Sequence, residues 1–208
     1  MGIPVLILGE SGSGKSTSLR NFNPEELAIF NVAGKPLPFK KKMPYVINDA
    51  NYAIIEKKLK ENKFKKYVID DAQYLMAFEL FEKAKQTGYG KFTDIAVHYQ
   101  NLLTTIIKDT PEDCIVYILS HLEETNSGKL KMKTVGQMLD NQLTVEGLFT
   151  IVLMSFYSNK QYKFMTQTDG RTPCKSPIDM FESLEIDNDL KFVDEKIREF
   201  YGFDKGEK

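Results

Sequence analysis

Eight residues near the amino terminus have the types and spacing needed to hold phosphate groups. Residues 9–16 read Gly-Glu-Ser-Gly-Ser-Gly-Lys-Ser and match G-x-x-x-x-G-K-[ST] without a mismatch. The glycines let successive backbone N–H groups point at phosphate oxygens. Lys15 is expected to reach the β- and γ-phosphates, and the Ser16 hydroxyl to ligate Mg²⁺. The predicted nucleotide-binding residues are Gly9, Glu10, Ser11, Gly12, Ser13, Gly14, Lys15, Ser16 and Thr17, and the predicted cofactors are ATP and Mg²⁺.

Two adjacent acids follow the apolar run 67–69. A buried strand that delivers an acid to the Mg²⁺ beside a phosphate loop is the Walker B arrangement, so Asp70 is predicted to be a metal ligand together with Ser16. Asp71 is predicted to orient or deprotonate the attacking water. The alternative is that Asp71 only caps the next helix, because Asp is a favoured N-cap residue.

A third polar pair, Ser120-His121, ends the apolar run 114–119. Ligands of open α/β sheets bind at the carboxyl ends of the strands, so His121 is predicted to sense the γ-phosphate. The alternative is a solvated histidine or one satisfied in the core. His98 lies on a predicted helix without evident partners and is expected to be structural.

Two cations, Arg171 and Lys175, lie on a proline-bounded loop at 168–177. A cation on such a loop could reach the γ-phosphate of a neighbouring subunit, and arginine fingers of this kind accelerate hydrolysis by about 10³- to 10⁵-fold. Both residues are therefore predicted to be catalytic. The alternative for each is a solvated loop charge.

The elements that must position these residues alternate between strands and helices. Buried strands are predicted at 3–8, 27–33, 67–69 and 114–119, an antiparallel pair at 147–156 and 161–166, and helices near 14–22, 51–63, 74–84, 93–108 and 190–201. This pattern indicates an α/β fold with a mainly parallel sheet flanked by helices and an antiparallel extension near the carboxyl terminus. A whole predicted strand separates the phosphate loop from the acidic strand along the chain, which favours the RecA-like and AAA-like ATPases over small-molecule kinases.

Length and composition bound the architecture. With 208 residues, the chain is predicted to be a single domain, in which 1–156 form the nucleotide-binding core and 157–208 supply a hairpin, the finger loop and a last helix. No segment approaches about 18 consecutive apolar residues, so we expect a cytoplasmic protein without a membrane partner. Cys114 and Cys174 are expected to be reduced thiols.

The motifs resemble those of bacteriophage-encoded RecA-like P-loop ATPases, a group similar to single-strand-annealing recombination proteins. The resemblance is carried by the phosphate loop, Val-Ile-Asp-Asp at 68–71, Leu-Ser-His at 119–121, and the segments 133–140, 144–150, 174–177 and 187–190. It implies a Mg²⁺-dependent ATPase that is slow without DNA or a partner. It also implies a homo-oligomer, either ring or filament, acting in phage DNA recombination or replication with single-stranded DNA and a single-strand DNA-binding protein. The location implied is the host cytoplasm.

The charge distribution leaves the DNA prediction open. Residues 35–66 contain ten lysines against three acids, a balance of +7, whereas residues 179–208 carry ten acids against five bases, a balance of −5. The basic stretch could bind DNA phosphates, with Tyr45, Tyr52 and Phe64 stacking on bases, or it could be a solvated helix face. Two other functions remain as alternatives. A small-molecule kinase would need an arginine-rich lid, whereas this chain has three arginines. The other is an interaction module that binds ATP with little hydrolysis.

Overall fold

An eight-stranded sheet forms the centre of the computed structural model, which describes residues 1–136 and 144–203. The strands are β1 (Ile3–Leu8), β2 (Ala28–Asn31), β3 (Val46–Asn48), β4 (Lys66–Asp70), β5 (Ile115–Ser120), β6 (Leu122–Glu124), β7 (Leu130–Met132), β8 (Ile151–Ser158), β9 (Gln161–Met165) and β10 (Glu185–Asp187). The sheet order is β10-β9-β8-β1-β5-β4-β2-β3. The six strands from β8 to β3 are parallel, and β9 and β10 extend the sheet antiparallel beyond β8. The hairpin β6-β7 forms a separate small sheet.

β5 lies between β1 and β4. Its register places Ser120 opposite Leu8 of β1, and Ile118 opposite Ile69 of β4. The carboxyl ends of the three strands therefore meet at one edge of the sheet, where the phosphate loop, the Asp70-Asp71 pair and His121 follow them.

Helices cover both faces of the sheet. They are α1 (Tyr52–Lys60), α2 (Gln73–Glu82), α3 (Gly90–Asp109) and α4 (Leu190–Tyr201), together with short 3₁₀ helices at Ser16–Asn21, Pro24–Glu26 and Val145–Leu148. Helices α1, α2 and α3 share one buried cluster with the strands, whereas α4 and the 3₁₀ helix Ser16–Asn21 share the other. Strand side chains alternate between the two clusters: Leu6 and Leu8 lie in the first, and Val5 and Ile7 in the second. None of the helices in the described ranges is long and apolar enough to cross a membrane.

The fold confirms the predicted α/β class, the mainly parallel sheet and the antiparallel extension. The predicted strand 3–8, the β8–β9 pair and the last helix are present, and Asp189 caps that helix by accepting hydrogen bonds from the backbone N–H groups of Lys191 and Phe192. The turn between β8 and β9 uses Asn159 and Lys160, both with positive φ, as tight hairpin turns require.

Several elements differ from the predictions. The helix expected near 14–22 is a 3₁₀ helix of six residues, Ser16–Asn21, because Pro24 disfavours helical backbone at the residue before it and leaves little room. Strands β3, β6, β7 and β10 were not predicted, since each has only three residues and no repeating pattern can be read over that length. The helical spacing of Leu190, Val193, Ile197 and Phe200 predicts that all four face inward on α4; the first three are buried, whereas Phe200 is 44% exposed. Residues 137–140 of the segment 133–140 and residues 204–208 of the predicted domain lie outside the described residues.

Candidate functional site

The phosphate loop has a backbone that only glycine accommodates easily at two positions. Gly12 and Gly14 have φ of +78° and +99°, in the left-handed region. At Gly9, an added Cβ would lie 2.4 Å from the Ser13 side-chain oxygen, so the chain closes tightly there. The loop is thus a narrow cradle of backbone that larger side chains would fill.

Lys15 lies inside this cradle. Its side chain folds back so that Nζ donates hydrogen bonds of 2.9 Å to the carbonyl oxygens of Gly9 and Glu10, and the residue is only 6% exposed. Burial lowers the pKa of Lys15 to about 8, although the carboxylates of Asp71 and Asp70 oppose that shift. An anionic ligand in the loop would replace the two carbonyl acceptors and favour the charged ammonium group.

Ser16 and Asp70 meet although 54 residues separate them. The Ser16 hydroxyl donates a 2.9 Å hydrogen bond to Asp70 Oδ1. Burial raises the pKa of Asp70 to about 6, and the neighbouring Asp71 carboxylate adds to that shift. A hydroxyl and a buried carboxylate whose charge Lys15 and Lys35 compensate only in part suit Mg²⁺, which is typically bound by one or two protein groups plus phosphate oxygens and water. No cluster of three or more His, Cys, Asp or Glu ligands occurs in the described ranges.

Asp71 does not cap α2. The N-cap position belongs to Ala72 and has no side-chain cap bond, while Asp71 has a left-handed φ of 59°. Its carboxylate lies 2.5 Å from Lys35 Nζ and 3.5 Å from His121 Nε2. Burial acts to raise the pKa of Asp71, but hydrogen bonds from His121 and Lys35 outweigh it and hold the pKa at about 2. The capping alternative is therefore wrong, and Asp71 is an ionised acceptor beside the loop.

His121 is held in place from both sides. Gln73 Oε1 accepts a 3.2 Å hydrogen bond from the His121 backbone N–H and a 3.4 Å one from the Ser120 hydroxyl. The Tyr74 ring packs edge-on against the imidazole, 6.3 Å between centroids. The structure thus brings His121 to Asp71, as expected of a residue at the carboxyl end of β5.

A pocket of about 270 Å³ lies against the glycine loop and reaches Asp71 and His121, whereas Asp70 lies behind Ser16 and does not line it. Its lining comprises Ser11, Gly12, Gly14, Lys15, Ser16, Thr17, Lys35, Pro38, Asp71, His121 and Tyr162. Three of these, Lys35, Pro38 and Tyr162, were not predicted. Lys35 could have been identified from its position just after the Gly34 that ends the second predicted strand, whereas Tyr162 carries no sequence signal because it reaches the loop from β9.

Arg171 and Lys175 lie away from this pocket. Arg171 pairs with Glu124 at 3.1 Å and donates a 2.9 Å hydrogen bond to the Gly128 carbonyl, both on the β6-β7 hairpin. Lys175 pairs through its backbone with Val152 of β8. Neither contributes to the lining of the pocket in the same chain, so a finger role toward a neighbouring subunit stays a prediction.

The predicted basic surface is largely paired with acids. Six of its ten lysines form ion pairs: Lys35 with Asp71, Lys58 and Lys63 with Glu61, Lys60 with Asp109, Lys65 with Asp113, and Lys66 with Glu26 and Asp194. The three aromatic side chains do not form one surface: Tyr45 packs edge-on against Phe64, whereas Tyr52 packs against His98. His98 is not without partners, because its Nδ1 lies 2.7 Å from Glu79 Oε1.

No model of a known protein family matches the chain, and no curated protein matches it either.

Proposed function

We propose that this chain is a P-loop NTPase with a RecA-like core that binds ATP with Mg²⁺ and hydrolyses it. The observation that carries the proposal is the 2.9 Å hydrogen bond from Ser16 to Asp70. It joins a hydroxyl of the glycine loop to an acid at the end of another parallel strand, which is the pair that would share one metal ion in such enzymes.

The sheet order supports the same assignment. Strand β5 is inserted between the loop-bearing strand β1 and the acidic strand β4. The two acids and His121 therefore enter from one side of the phosphate loop. This arrangement agrees with the RecA-like and AAA-like ATPases, which the order of elements along the chain also favours.

Each polar group has a distinct task in the proposed reaction. Lys15 would exchange its two carbonyl partners for β- and γ-phosphate oxygens, and Ser16 and Asp70 would hold Mg²⁺, which supplies charge neutralisation at those oxygens. With a pKa of about 2, Asp71 is too weak a base to take a proton near neutral pH, so it would orient the attacking water instead. His121 would read the presence of the γ-phosphate through its contact with Asp71.

The wider role rests on the family resemblance. We propose a homo-oligomer that couples ATP hydrolysis to single-stranded DNA in phage recombination or replication, with a single-strand DNA-binding protein as partner. Because most lysines of the basic stretch are paired, we do not place the DNA on that surface. An ATPase rate that rises with protein concentration and with added single-stranded DNA would support this part, and a rate indifferent to both would contradict it.

A cavity of about 710 Å³ between α1, α2 and α3 bears on the kinase alternative, since it could take an acceptor. Its described lining, which includes Asp49, Tyr52 and Glu79, shares no residue with the pocket at the phosphate loop. A kinase must bring acceptor and γ-phosphate into contact, so the ATPase is the better proposal. Phosphorylation of added nucleosides without any effect of DNA would reverse that preference.

Replacing Lys15 tests the central proposal. Lys15→Ala should reduce Mg²⁺-dependent ATP hydrolysis about 100-fold or more, as expected when a charged donor to the transition state is removed. The exposed Lys40, on the loop between β2 and β3, provides the matched control, and Lys40→Ala should leave the rate within about twofold. If wild type shows no affinity for ATP in Mg²⁺ buffer, the proposal fails. Loss of ATP binding in both variants would also contradict it.

A further inference from the structure

The pocket at the phosphate loop is bounded from two opposite sides of β1. Asp71 and His121 follow β4 and β5 on one side of that strand, whereas Tyr162 belongs to β9, beyond β8, on the other. Ser16 and Asp70 fix where a metal-bound γ-phosphate would lie in the proposed function, on which this inference rests. A nucleoside that extends away from Asp71 can then lie on the β9 side, where Tyr162 lines the pocket.

A second pocket, of about 340 Å³, begins where the first one ends. Tyr162 lines both, and the rest of the second pocket is lined by Arg20, Asn21, Gln161, Asp187, Asn188 and Asp189. It lies between the 3₁₀ helix that carries Arg20 and the β9-β10 edge of the sheet. Concave sites of roughly this size and mixed polarity are typical of small ligands.

The side chains in this second pocket suit a nucleobase. The Tyr162 ring is 40% exposed and packs so closely on Gly14 that a Cβ added there would lie 2.7 Å from the ring. Its position is thus fixed by the phosphate loop and by Tyr157, whose ring packs against it with 5.0 Å between centroids, and the part of the ring that stays exposed is available for stacking. Gln161 is exposed, and its amide has no hydrogen-bond partner in the described part of the chain, so it can both donate to and accept from a base edge.

The buried wall of the second pocket is hydrogen-bonded to the phosphate loop. Asn188, 1% exposed, donates a 3.0 Å hydrogen bond to the Ser155 hydroxyl, which donates a 2.7 Å one to the Ser13 carbonyl. Arg20 closes the other side with a 2.6 Å hydrogen bond to the Asn188 carbonyl. The two pockets therefore keep a fixed spacing, as a single ligand spanning both would require.

We propose that the pocket between Arg20, Gln161 and Asn188 binds the nucleobase and ribose of the nucleotide, with Tyr162 as the stacking platform and Gln161 as the group that hydrogen-bonds the base edge. The antiparallel strands β9 and β10 thereby supply the specificity of the site. The central parallel strands supply its phosphate and metal chemistry.

Comparing ATP with inorganic tripolyphosphate separates base recognition from phosphate recognition. Tyr162→Ala should weaken ATP binding about 5- to 100-fold, the range expected for a lost stacking interaction, and leave the affinity for tripolyphosphate within about twofold. Tyr162→Phe should retain ATP binding, since the ring is kept. Tyr89→Ala, at a tyrosine 88% exposed and outside both pockets, is the control and should change neither affinity.

Gln161→Ala provides a second variant that does not disturb packing, because the side chain is exposed. It should lower the ratio of ATP to tripolyphosphate affinity severalfold. Equal loss of both ligands in Tyr162→Ala, or an unchanged ratio in both Tyr162→Ala and Gln161→Ala, would overturn this inference alone. Wild-type protein that binds neither ATP nor tripolyphosphate would overturn the proposed function, and this inference with it.

Discussion

Buried charged side chains lie at both ends of strand β4, and the two ends differ in how completely those charges are paired. At the amino end, Lys66 Nζ lies 2.9 Å from Glu26 and 3.0 Å from Asp194, and Arg198 Nε donates to Asp194 at 2.8 Å. At the carboxyl end, Asp70 receives a hydrogen bond from Ser16 and has another carboxylate, Asp71, beside it. The charges at the amino end are thus more fully paired than those at the carboxyl end, where Lys35 pairs with Asp71 but Asp70 forms no ion pair in the described part of the chain.

The difference in pairing indicates that the amino-end cluster stabilises the fold, whereas the carboxyl end is suited to bind a ligand. Asp194 is fully buried, and besides Lys66 and Arg198 it accepts a 2.8 Å hydrogen bond from Tyr117, whose pKa is raised by burial so that the phenol stays protonated. Asp70, 4% exposed, instead has its pKa raised to about 6, because burial and the Asp71 carboxylate outweigh the Ser16 hydrogen bond and the charges of Lys15 and Lys35, so additional positive charge would stabilise its ionised form. A bound metal ion would supply that charge, whereas the Asp194 cluster needs no ligand.

The largest effect is expected from opening the amino-end cluster. Asp194→Ala should lower the free energy of unfolding by about 3 to 5 kcal/mol, because it leaves the charges of Lys66 and Arg198 buried with fewer partners. Urea denaturation measures this change. Glu199→Ala is the control: Glu199 pairs with Lys196 at the surface, 71% exposed, and its loss should cost under about 1 kcal/mol. A cost below 1 kcal/mol for Asp194→Ala would show that the cluster is not stabilising.

At the carboxyl end, removing a charged side chain should stabilise the fold instead of destabilising it. Because the folded-state pKa of Asp70 lies above its ordinary value of 3.8, ionisation destabilises the fold progressively as pH rises from about 4 to about 6. Asp70→Asn cannot ionise and should therefore stabilise the metal-free protein by up to about 3 kcal/mol at pH 8, with no gain at pH 4. Thermal unfolding in the presence of a chelator at the two pH values tests this.

The control for Asp70→Asn is a variant of Glu26, which lies in the cluster at the amino end of β4. Glu26→Gln should show no such gain at pH 8. An Asp70→Asn variant that is less stable than wild type at pH 8 would mean that the Ser16–Asp70 hydrogen bond outweighs the missing charge. The same variant should lose Mg²⁺-dependent nucleotide binding, so stability and function would change in opposite directions.

The sequence predicted the carboxyl end of β4 far better than the amino end. Asp70, Lys15 and Ser16 belong to spaced motifs whose chemistry requires them, and the structure places Ser16 and Lys15 beside the acids. Asp194 and Arg198 lie four residues apart on α4, a spacing typical of an ordinary helical ion pair, and nothing in that spacing shows that this turn packs against Lys66, 128 residues earlier.

The other residues and strands that the sequence did not predict share one physical cause. Tyr162 reaches the pocket through the strand order, which depends on tertiary packing and not on local pattern. The strands β3, β6, β7 and β10 are each three residues long, and their pairing is decided by neighbours distant in sequence. Local patterns therefore identified the glycine loop, the two acids and His121, whereas the contributions of Pro38 and Tyr162 to the pocket became known only from the fold.

The smallest effect should come from the outer partner of the amino-end cluster. Glu26 is 26% exposed, and hydrogen bonds from Asn23 and Lys66 lower its pKa against the opposing effect of burial. Glu26→Gln should cost under about 1 kcal/mol near neutral pH, because Lys66 keeps Asp194 and Gln can still accept from the Asn23 backbone. The cost should vanish in acid, since a lowered carboxyl pKa stabilises only above the unfolded-state value. Urea titrations at pH 7 and pH 3 measure both. If Glu26→Gln proved as costly as Asp194→Ala, Lys66 would depend on the exposed carboxylate, and burial would not be what distinguishes this end of the strand.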